Sequence, residues 1–507
     1  MRTVVKSLNK KIFLSQNRRL NLSYVAGAMI VLGLLTVPLE NPNSFLVTAR
    51  PAPIRANIVF IRTDDQDLLS LEARKSDGEL ISKKINELLE AQGIKFTNSF
   101  VSFALCCPSR VTSLTGQYAH NHKILDNAGY RKFENLYANN NLAVWLQRAG
   151  YQTMHLGKYI NGYGYATNPA VPPGWDKWFT NFRSVNYYNY LINEEGVIRE
   201  FGEAPEEYLT DVLTDKAVEY ISEVASARKP FFLVVDYYAP HMGSWGGDIV
   251  TPAPRHDNLL ADYEPTFAPS FNEEDVGDKP QKVRDLPLLD ETEIERIKDT
   301  RRDGLEALMS VDEGVARIIE TLAQIGKLKN TYIIFTSDNG FMFGEHRIPQ
   351  GKNWPYEESI RVPLLIRGPG IVPGTTISGL VTNVDYAATI IDIAKAVPGL
   401  RQDGRSLMPL IANPNIKWRD SFLIETGPSP WYTGMRSDNY KYLEYDNDLD
   451  SNTDEYELYN FFPDECRTNG DLYEMESQHA NSCYQEMINQ FRKRLAELKQ
   501  CAGENCW

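Results

Sequence analysis

The segment from Cys106 to Arg110, which reads CCPSR, combines a cysteine, a proline and an arginine in one turn. Pro108 suits the first helical position, because its missing N–H would have no partner there. Cys106 would then face the free N–H groups and the positive end of the helix dipole, which favour a thiolate and anionic substrates. Arg110 adds a planar set of donors suited to an oxyanion. The segment predicts an anion-handling site, and the alternative is a cysteine pair buried in a turn.

Acidic residues follow two predicted strands. Residues 57–62 form a short apolar run that indicates a buried parallel strand, and Asp64 and Asp65 come just after it. Asp338 and Asn339 follow a second predicted strand, before a glycine that permits a tight turn. Ligands of open α/β sheets bind at the carboxyl ends of strands, and oxygen donors suit a hard divalent cation. For an isolated acidic pair, the alternative is a solvated turn.

Several basic side chains lie where they could contact a bound anion. Lys158 comes just past a predicted strand, and the alternative for it is an ordinary surface lysine. His241 follows another apolar strand. Two histidines of a single turn, His120 and His122, could be substrate contacts, metal ligands or packed loop residues. The remaining candidates downstream are His346 and Lys352.

Strands and helices alternate around these candidates. The predicted helices cover residues 82–91, 142–149, 303–325 and 385–397, and the predicted strands cover residues 95–102, 151–156, 230–238, 331–336 and 361–367. The polar stretch 242–301 has no clear period. Because such a long loop inside a compact domain is usually functional, we expect it to shape substrate access.

Length and charge limit the class of protein. A chain of 507 residues, 42% hydrophobic, can form two to four domains with a large core. The net charge of −14 and the lack of a basic patch argue against a nucleic-acid binder. Local sites can still oppose the net charge and bind anions.

The first 50 residues resemble an export signal. The first 22 carry basic residues and no acidic one, residues 24–39 are apolar, and a polar stretch follows. An uncleaved anchor, a twin-arginine signal and a buried helix are the alternatives, and the apolar run is short for a membrane span. We predict a secreted, periplasmic or cell-surface protein, with transient membrane association through this segment.

The six cysteines agree with export. Cys106 and Cys107 are adjacent and are not expected to pair with each other. The other four lack the paired CxxC spacing of zinc ligands, so two disulfides are expected and three pairings remain open. These four are Cys466, Cys483, Cys501 and Cys506.

Taken together, the motifs resemble those of the type I sulfatases of the alkaline phosphatase superfamily. The sulfatase signature CxPSR…LTG matches residues 106–116, and further matches run in the family's order from about residue 56 to beyond 460. They are TDDQ at 63–66, GK at 157–158, APH at 239–241, SDNG at 337–340, and GK with YEESIRVPL at 351–364. The CCPSR form and residues 116–122 most resemble the N-acetylglucosamine-6-sulfatase and heparan 6-O-endosulfatase branch.

The resemblance implies an α/β fold with a mixed, mostly parallel central sheet flanked by helices. It divides the chain into a leader (1–50), a catalytic domain (55–400) and a smaller α+β domain (401–507) with a short antiparallel sheet. It also implies that a formylglycine-generating enzyme converts Cys106 to formylglycine, whose hydrate attacks the sulfur of a sugar or aryl sulfate. The implied Ca²⁺ ligands are Asp64, Asp65, Asp338, Asn339 and the modified Cys106.

In the same way, the resemblance assigns charge stabilisation to Arg110, Lys158 and Lys352, and protonation of the leaving oxygen to His241 or Lys352. The substrate contacts it implies are His120, His122, Asn161 and His346. Ile160 stands where many arylsulfatases have a histidine, and the region of His346 looks more like bacterial arylsulfatases. The alternatives are a phosphonate monoester or phosphodiester hydrolase of the same superfamily, and an inactive binder of sulfated glycans.

Overall fold

A mixed, mostly parallel sheet organises the protein. The computed structural model describes residues 55–165, 169–243, 249–429, 431–450 and 452–507, so the predicted export signal lies outside the described residues. In the described part of the chain, no helix is both long enough and apolar enough to cross a membrane. The strands there are β1 (Asn57–Thr63), β2 (Ile94–Phe96), β3 (Ser99–Phe100), β4 (Gln152–Gly157), β5 (Lys177–Asn181), β6 (Tyr190–Glu194), β7 (Val197–Phe201), β8 (Phe231–Asp236), β9 (Thr331–Ser337), β10 (Leu364–Arg367), β11 (Thr375–Ile377), β12 (Val381–Thr382), β13 (Ser421–Ile424), β14 (Tyr432–Ser437), β15 (Tyr440–Tyr445) and β16 (Glu455–Asn460).

Ten of these strands form the main sheet, in the order β11-β2-β10-β9-β1-β8-β4-β5-β6-β7. The central strand β1 pairs in parallel with both β8 and β9. β4 is also parallel to β8 and to β5, whereas β10 runs antiparallel to β9 and to β2. The carboxyl ends of β9, β1, β8, β4 and β5 therefore meet along one edge of the sheet, as predicted for the site.

Helices cover both faces of the sheet. They are α1 (Leu68–Glu72), α2 (Lys83–Ile85), α3 (Cys106–Thr115), α4 (Ala119–His122), α5 (Tyr130–Tyr137), α6 (Leu142–Arg148), α7 (Leu209–Glu223), α8 (Gln281–Arg284), α9 (Glu291–Gln324), α10 (Glu357–Ile360), α11 (Val384–Ala394), α12 (Met408–Ala412) and α13 (Gln485–Leu498), with a π-helix at Asn86–Glu90 and 3₁₀ turns at Pro205–Glu207, Leu328–Asn330, Ser482–Tyr484 and Gly503–Cys506.

The core lies on both sides of β1. Successive side chains of a strand point to opposite faces, so Val59 and Ile61 pack with α7 and α9, whereas Ile58 and Phe60 pack with α3, α6 and α11. Every residue of β1 is buried, which accounts for its continuous apolar run. The α/β class predicted from the sequence is confirmed.

Helix α9 corrects the predicted helix boundary. It spans 34 residues from Glu291 rather than beginning at 303, and Asp290 caps it by accepting a hydrogen bond from the Glu293 N–H. The prediction was wrong because the first turns are charged and lack the apolar spacing that marks the later ones. The polar stretch predicted as one loop over 242–301 therefore includes the start of this helix.

The carboxyl-terminal region carries a separate antiparallel sheet of four strands, in the order β13-β14-β15-β16. The two disulfides expected there are present as Cys466–Cys483 and Cys501–Cys506, whereas Cys106 and Cys107 are free thiols. Residues Ile54–Trp507 form one compact unit, in which this sheet shares buried side chains with the main part. The domain boundary near residue 400 stays a prediction.

Candidate active site

The ends of β1 and β9 bring four predicted ligand side chains together. The two strands are in register from Asn57 opposite Thr331 to Thr63 opposite Ser337, so the residues that follow them are also neighbours. The Asp65 N–H donates to Asp338 Oδ1 at 3.2 Å, and Asn339 Nδ2 donates to Asp65 Oδ1 at 2.6 Å. Each of the four side chains, including that of Asp64, is at most 5% exposed.

Helix α3 places Cys106 against this cluster. The helix begins at Cys106, as predicted, and all ten of its residues are buried. Cys106 Sγ lies 3.6 Å from Asp64 Oδ1, and Lys352 Nζ lies 2.7 Å from the same sulfur. Burial raises the pKa of the Cys106 thiol to about 12. The prediction that the helix start favours a thiolate is therefore wrong, because burial of the thiol outweighs the effect of Lys158 and Lys352.

Buried cations link the carboxylates. Arg110 Nε donates to Asp338 Oδ2 at 2.7 Å and Arg110 Nη2 to Asp64 Oδ2 at 3.1 Å, with no side-chain exposure. Lys158 pairs with Asp64, and Lys352 Nζ lies 2.5 Å from Asp65 Oδ1. Burial acts to raise the pKa of Asp64, but Lys158, His241 and Arg110 hold it well below its ordinary value. Asp64 is therefore ionised at neutral pH.

His241 lies beside the same carboxylates. Its Nε2 is 3.6 Å from Asp65 Oδ2, and its Nδ1–H donates to the Met242 carbonyl at 2.5 Å. Burial, with Lys352 and Lys158 nearby, lowers the pKa of His241 to about 4. The imidazole is therefore neutral at neutral pH and presents an Nε2 lone pair. Of the two residues predicted to protonate the leaving oxygen, Lys352 is the one that carries a proton.

The donor set fits a hard divalent cation. Asp64, Asp65, Cys106 and His241 each offer one ligand atom, and these atoms lie within 4.8 Å of one another. The buried Asn339 Oδ1 has no hydrogen-bond partner among the described residues, as expected for an oxygen that binds a cation instead. Three aspartates and this amide supply the oxygen donors that Ca²⁺ prefers.

A polar cavity of about 400 Å³ opens beside Lys158 and His241. The predicted substrate residue Asn161 lines it, together with Asn181 and Arg183. Neither side-chain polar atom of Asn181, nor Asn161 Oδ1, has a protein partner among the described residues, although all three atoms are buried. The sequence analysis missed Asn181 and Arg183. Asn181 ends β5 at the same sheet edge, which is the signal that could have identified it.

The remaining histidines lie elsewhere. His120 contacts Glu425 Oε1 at 2.8 Å and the Cys501 carbonyl at 2.9 Å. His122 is fully buried, with Nε2 3.0 Å from Thr112 Oγ1, and burial lowers its pKa to about 3. His346 is also fully buried and pairs with Glu273. The structure does not bring these histidines to the Cys106 cluster, and the two buried ones lack the exposure that a substrate contact needs.

A mostly parallel sheet with strand-end carboxylates, a divalent-cation donor set and a buried cysteine at a helix start defines an alkaline-phosphatase-like hydrolase fold. The sulfatase family profile matches residues 56–396, and that of the N-sulphoglucosamine sulphohydrolase carboxyl-terminal region matches residues 344–501. The chain belongs to the sulfatase family.

Named relatives agree with this membership. The chain is 35% identical over 387 residues to human N-acetylglucosamine-6-sulfatase, which covers 73% of this chain and 67% of that protein. It is 36% identical over 389 residues to a Caenorhabditis elegans homologue of extracellular sulfatase Sulf-1, covering 74% of this chain. The chain spans only 53% of that nematode relative.

Solved structures share the fold. A protein in complex with its substrate D-glucosamine-2-N,6-O-disulfate superposes with a TM-score of 0.72 at 26% identity, covering 88% of this chain and 98% of that one. A phosphonate monoester hydrolase of Agrobacterium radiobacter superposes with a TM-score of 0.65 at 20% identity, covering 88% and 95%. The similarity to the phosphonate monoester hydrolase shows a shared fold and nothing about function.

Proposed function

We propose that the protein is a sulfatase that hydrolyses sulfate esters of sugars through a formylglycine at position 106 and a bound Ca²⁺. The observation that supports this most directly is the placement of Cys106, within 3.6 Å of Asp64 and 2.7 Å of Lys352, in a chain of the sulfatase family. With its pKa raised to about 12, the unmodified thiol is a poor nucleophile at neutral pH.

Maturation would change the side chain of residue 106. Oxidation to the aldehyde, with loss of the sulfur, needs a formylglycine-generating enzyme and its oxidant. The hydrated aldehyde would supply a hydroxyl that attacks sulfur, and its second hydroxyl would allow sulfate to leave with return of the aldehyde. Lys352 Nζ, now 2.7 Å from the sulfur, would donate to the oxygen that replaces it.

Charge balance supports the bound cation. Four buried carboxylates, Asp64, Asp65, Asp236 and Asp338, are matched by four cationic side chains, namely Arg62, Arg110, Lys158 and Lys352. The cluster by itself would therefore attract an anionic substrate weakly. A Ca²⁺ held by Asp64, Asp65, Asp338 and Asn339 would give it two positive charges, lower the pKa of the attacking hydroxyl and polarise the sulfuryl group.

The basic side chains would bind the sulfuryl oxygens, position the carboxylates and protonate the leaving group. Lys158 lines the neighbouring cavity and pairs with Asp64, so it can donate to the sulfuryl oxygens from the side where the substrate enters. Arg110 is fully buried and bonded to Asp64 and Asp338, so its part is to position those two carboxylates. Lys352 would give its proton to the departing alcohol oxygen.

The cavity supports a sugar as the alcohol. Its unpartnered amide atoms on Asn161 and Asn181 suit the hydroxyl groups of a pyranose, and Arg183 suits a second anionic group. The names of the relatives point to N-acetylglucosamine-6-sulfate, and that of one structural neighbour points to a sulfated glucosamine. We therefore propose a sulfated glucosamine unit as the substrate.

The disulfides and the name of one relative support export of the protein. Two disulfides are typical of proteins that fold outside the cytoplasm, and the nematode relative is named as an extracellular sulfatase homologue. We propose that the protein acts outside the cytoplasm, after maturation in the cell that makes it.

Mass spectrometry of the tryptic peptide 96–110, from protein made in its own host, tests the modification. We expect an aldehyde at position 106 and an ordinary thiol at Cys107. Substitution of Cys106 by alanine should lower kcat/KM on N-acetylglucosamine-6-sulfate by about 10⁴-fold or more, as for other nucleophiles. C107A is the matched control, because Cys107 is equally buried and lies outside the ligand group of Asp64, Asp65, Cys106 and His241.

Two results would contradict the proposal. One is active protein in which Cys106 is wholly unmodified, and the other is faster turnover of an aryl phosphonate or phosphodiester than of sugar and aryl sulfates. The second result would favour the phosphonate monoester or phosphodiester hydrolase considered above.

A further inference from the structure

A second group of potential metal ligands lies between the main sheet and the carboxyl-terminal sheet. His346, Glu358 and Glu474 each offer one ligand atom, and these atoms lie within 4.8 Å of one another. They come from the loop after β9, from helix α10 and from the segment after β16, so only the folded chain brings them together. None of the three belongs to the Cys106 site.

The imidazole of His346 is oriented as a ligand. The side chain has no exposure, and its Nδ1 lies 2.6 Å from Glu273 Oε2, which accepts the Nδ1–H when Glu273 is ionised. A carboxylate partner on the second ring nitrogen is the usual arrangement of metal-binding histidines. With the proton on Nδ1, Nε2 presents a lone pair, and Nε2 has no hydrogen-bond partner among the described residues.

The lone pair lies close to two carboxyl groups. Glu358 Oε2 is also buried without a described hydrogen-bond partner. Glu474 is 1% exposed, and one of its oxygens lies 2.6 Å from Lys441 Nζ. A nitrogen lone pair and two carboxylates repel each other unless a cation or a shared proton lies between them.

Buried carboxyl groups are numerous around these three ligands. The buried carboxylates here are Glu273, Glu345, Glu357, Glu358, Glu457 and Glu474, and the cationic side chains that contact them are Lys279, Lys441, Arg361 and Arg436. Among the described residues, these carboxyl groups outnumber the cationic side chains that form ion pairs with them. Burial also raises the pKa of Glu457 to about 7, as expected where carboxylates outnumber their cationic partners.

We infer that His346, Glu358 and Glu474 bind a divalent transition-metal ion, zinc or manganese, with Glu273 positioning the imidazole. One imidazole nitrogen with two carboxylate oxygens suits these ions, whereas Ca²⁺ and Mg²⁺ prefer oxygen ligands alone. The ion joins the loop after β9 and helix α10 to the carboxyl-terminal segment, and its role is structural. The inference does not depend on the proposed sulfatase activity.

Metal content of the full-length protein tests this site. The protein is equilibrated with Zn²⁺ or Mn²⁺, freed of loose ions by gel filtration and measured by inductively coupled plasma mass spectrometry. We expect one tightly held ion per chain, lost in His346→Gln. Because Glu273 orients the imidazole without binding the ion itself, Glu273→Gln should weaken binding by about 10- to 100-fold.

Two control variants locate the ion. Asp64→Asn should keep it, because Asp64 belongs to the other ligand group. His256→Gln should also keep it, since His256 is a buried histidine with a glutamate partner at 3.0 Å that lies outside both ligand groups. Metal that survives in H346Q and disappears in D64N would overturn the inference, and so would wild-type protein that retains no zinc or manganese.

If H346Q does not fold, X-ray absorption of zinc-loaded Asp64→Asn protein decides, because this variant lacks a ligand of the Cys106 cluster, whose His241 could otherwise supply the imidazole nitrogen. A first coordination sphere with one imidazole nitrogen and the rest oxygen supports the site. A sphere that contains sulfur, as binding at Cys106 would give, overturns it.

Discussion

At the scale of single residues, Lys352 links Cys106 to the carboxylates of the proposed cation site. Its ammonium group contacts both Cys106 Sγ and Asp65, and it carries the proton that His241 lacks at neutral pH. These contacts imply that Lys352 acts mainly in the transition state, when charge develops on the transferring group.

We therefore expect Lys352→Met to lower kcat by about 10²- to 10³-fold, with a smaller change in KM, as for other preorganised donors. Steady-state kinetics on a sugar sulfate would measure both constants. Lys329→Met is the control, because Lys329 is exposed in the Leu328–Asn330 turn. A K352M enzyme that keeps kcat within about threefold of wild type would rule out this role.

The strand-end residues and His241 could be predicted from the sequence, whereas His120, His122 and His346 lie away from the site. Asp64 and Asp338 follow apolar strands directly, and the register of β1 with β9 makes them neighbours. His122 and His346 lie close in sequence to the site motifs, yet their side chains turn inward to Thr112 and Glu273. Which way a loop side chain turns depends on packing that sequence spacing does not encode.

At the scale of elements, Asp312 joins the long helix α9 to the start of α2. Its carboxylate accepts hydrogen bonds from the N–H groups of Lys84 and Ile85, at 2.9 and 2.7 Å. Burial nevertheless raises the pKa of Asp312 to about 6, above its ordinary value of 3.8. The folded protein therefore holds this proton more tightly than the unfolded chain.

This shift predicts the direction of a pH effect. The contribution of Asp312 to stability is fully present below pH 3.8 and is lost as the pH rises through 6, by about 3 kcal/mol at most. Urea unfolding of wild-type protein and Asp312→Asn at pH 4.5 and pH 8 would test it. We expect the advantage of wild type over D312N to be smaller at pH 8, and an advantage that grows with pH would contradict the assignment.

The two disulfides should differ in their effect on stability. Cys466–Cys483 closes a separation of 17 residues and Cys501–Cys506 one of 5. In the chain-entropy model, the longer loop contributes about 3 kcal/mol and the shorter about 2 kcal/mol. Replacing each pair by serines and measuring urea unfolding should reproduce this order. The Cys501–Cys506 variant should also disturb His120, whose ring contacts the Cys501 carbonyl.

The bounds of the strands and helices show what the sequence patterns could predict and what they could not. The buried strands β1, β8 and β9 were predicted within about two residues, because a continuous apolar run bounded by polar residues is typical of a strand buried on both faces. Helix α9 was predicted twelve residues short at its start, since its first turns are stabilised by the Asp290 cap rather than by an apolar face. Prediction of the cavity residues Asn181 and Arg183 would have required the order of the strands in the sheet, which a single sequence does not provide.

At the scale of the whole molecule, a Ca²⁺ at the Asp64 cluster would hold distant parts of the chain together. Its proposed ligands Asp65 and Asn339 are separated by 274 residues, and they follow the two strands at the centre of the main sheet. Binding to the folded state alone stabilises it by about 4 kcal/mol when the free ion is at about 1,000 times its Kd.

Removal of calcium should therefore lower both activity and Tm. We expect EGTA treatment to abolish hydrolysis of a sugar sulfate and to lower Tm, with recovery of both on addition of Ca²⁺. Asn339→Ala should need a higher Ca²⁺ concentration for the same Tm. Wild-type protein with an unchanged Tm and full activity in EGTA would exclude this ion.

The complete burial of Cys106 also limits the time during which the proposed modifying enzyme could reach its thiol. Once α3 is enclosed, no modifying enzyme can reach the thiol, which has no exposure in the folded protein. In the folded protein, Arg110 of the same helix donates to Asp338, which lies 228 positions later in the chain. At about 5 to 20 residues per second, a ribosome needs roughly 10 to 45 seconds to cover that distance. The topology of the sheet therefore leaves at least this interval after the synthesis of Cys106 in which the proposed modification could reach the thiol.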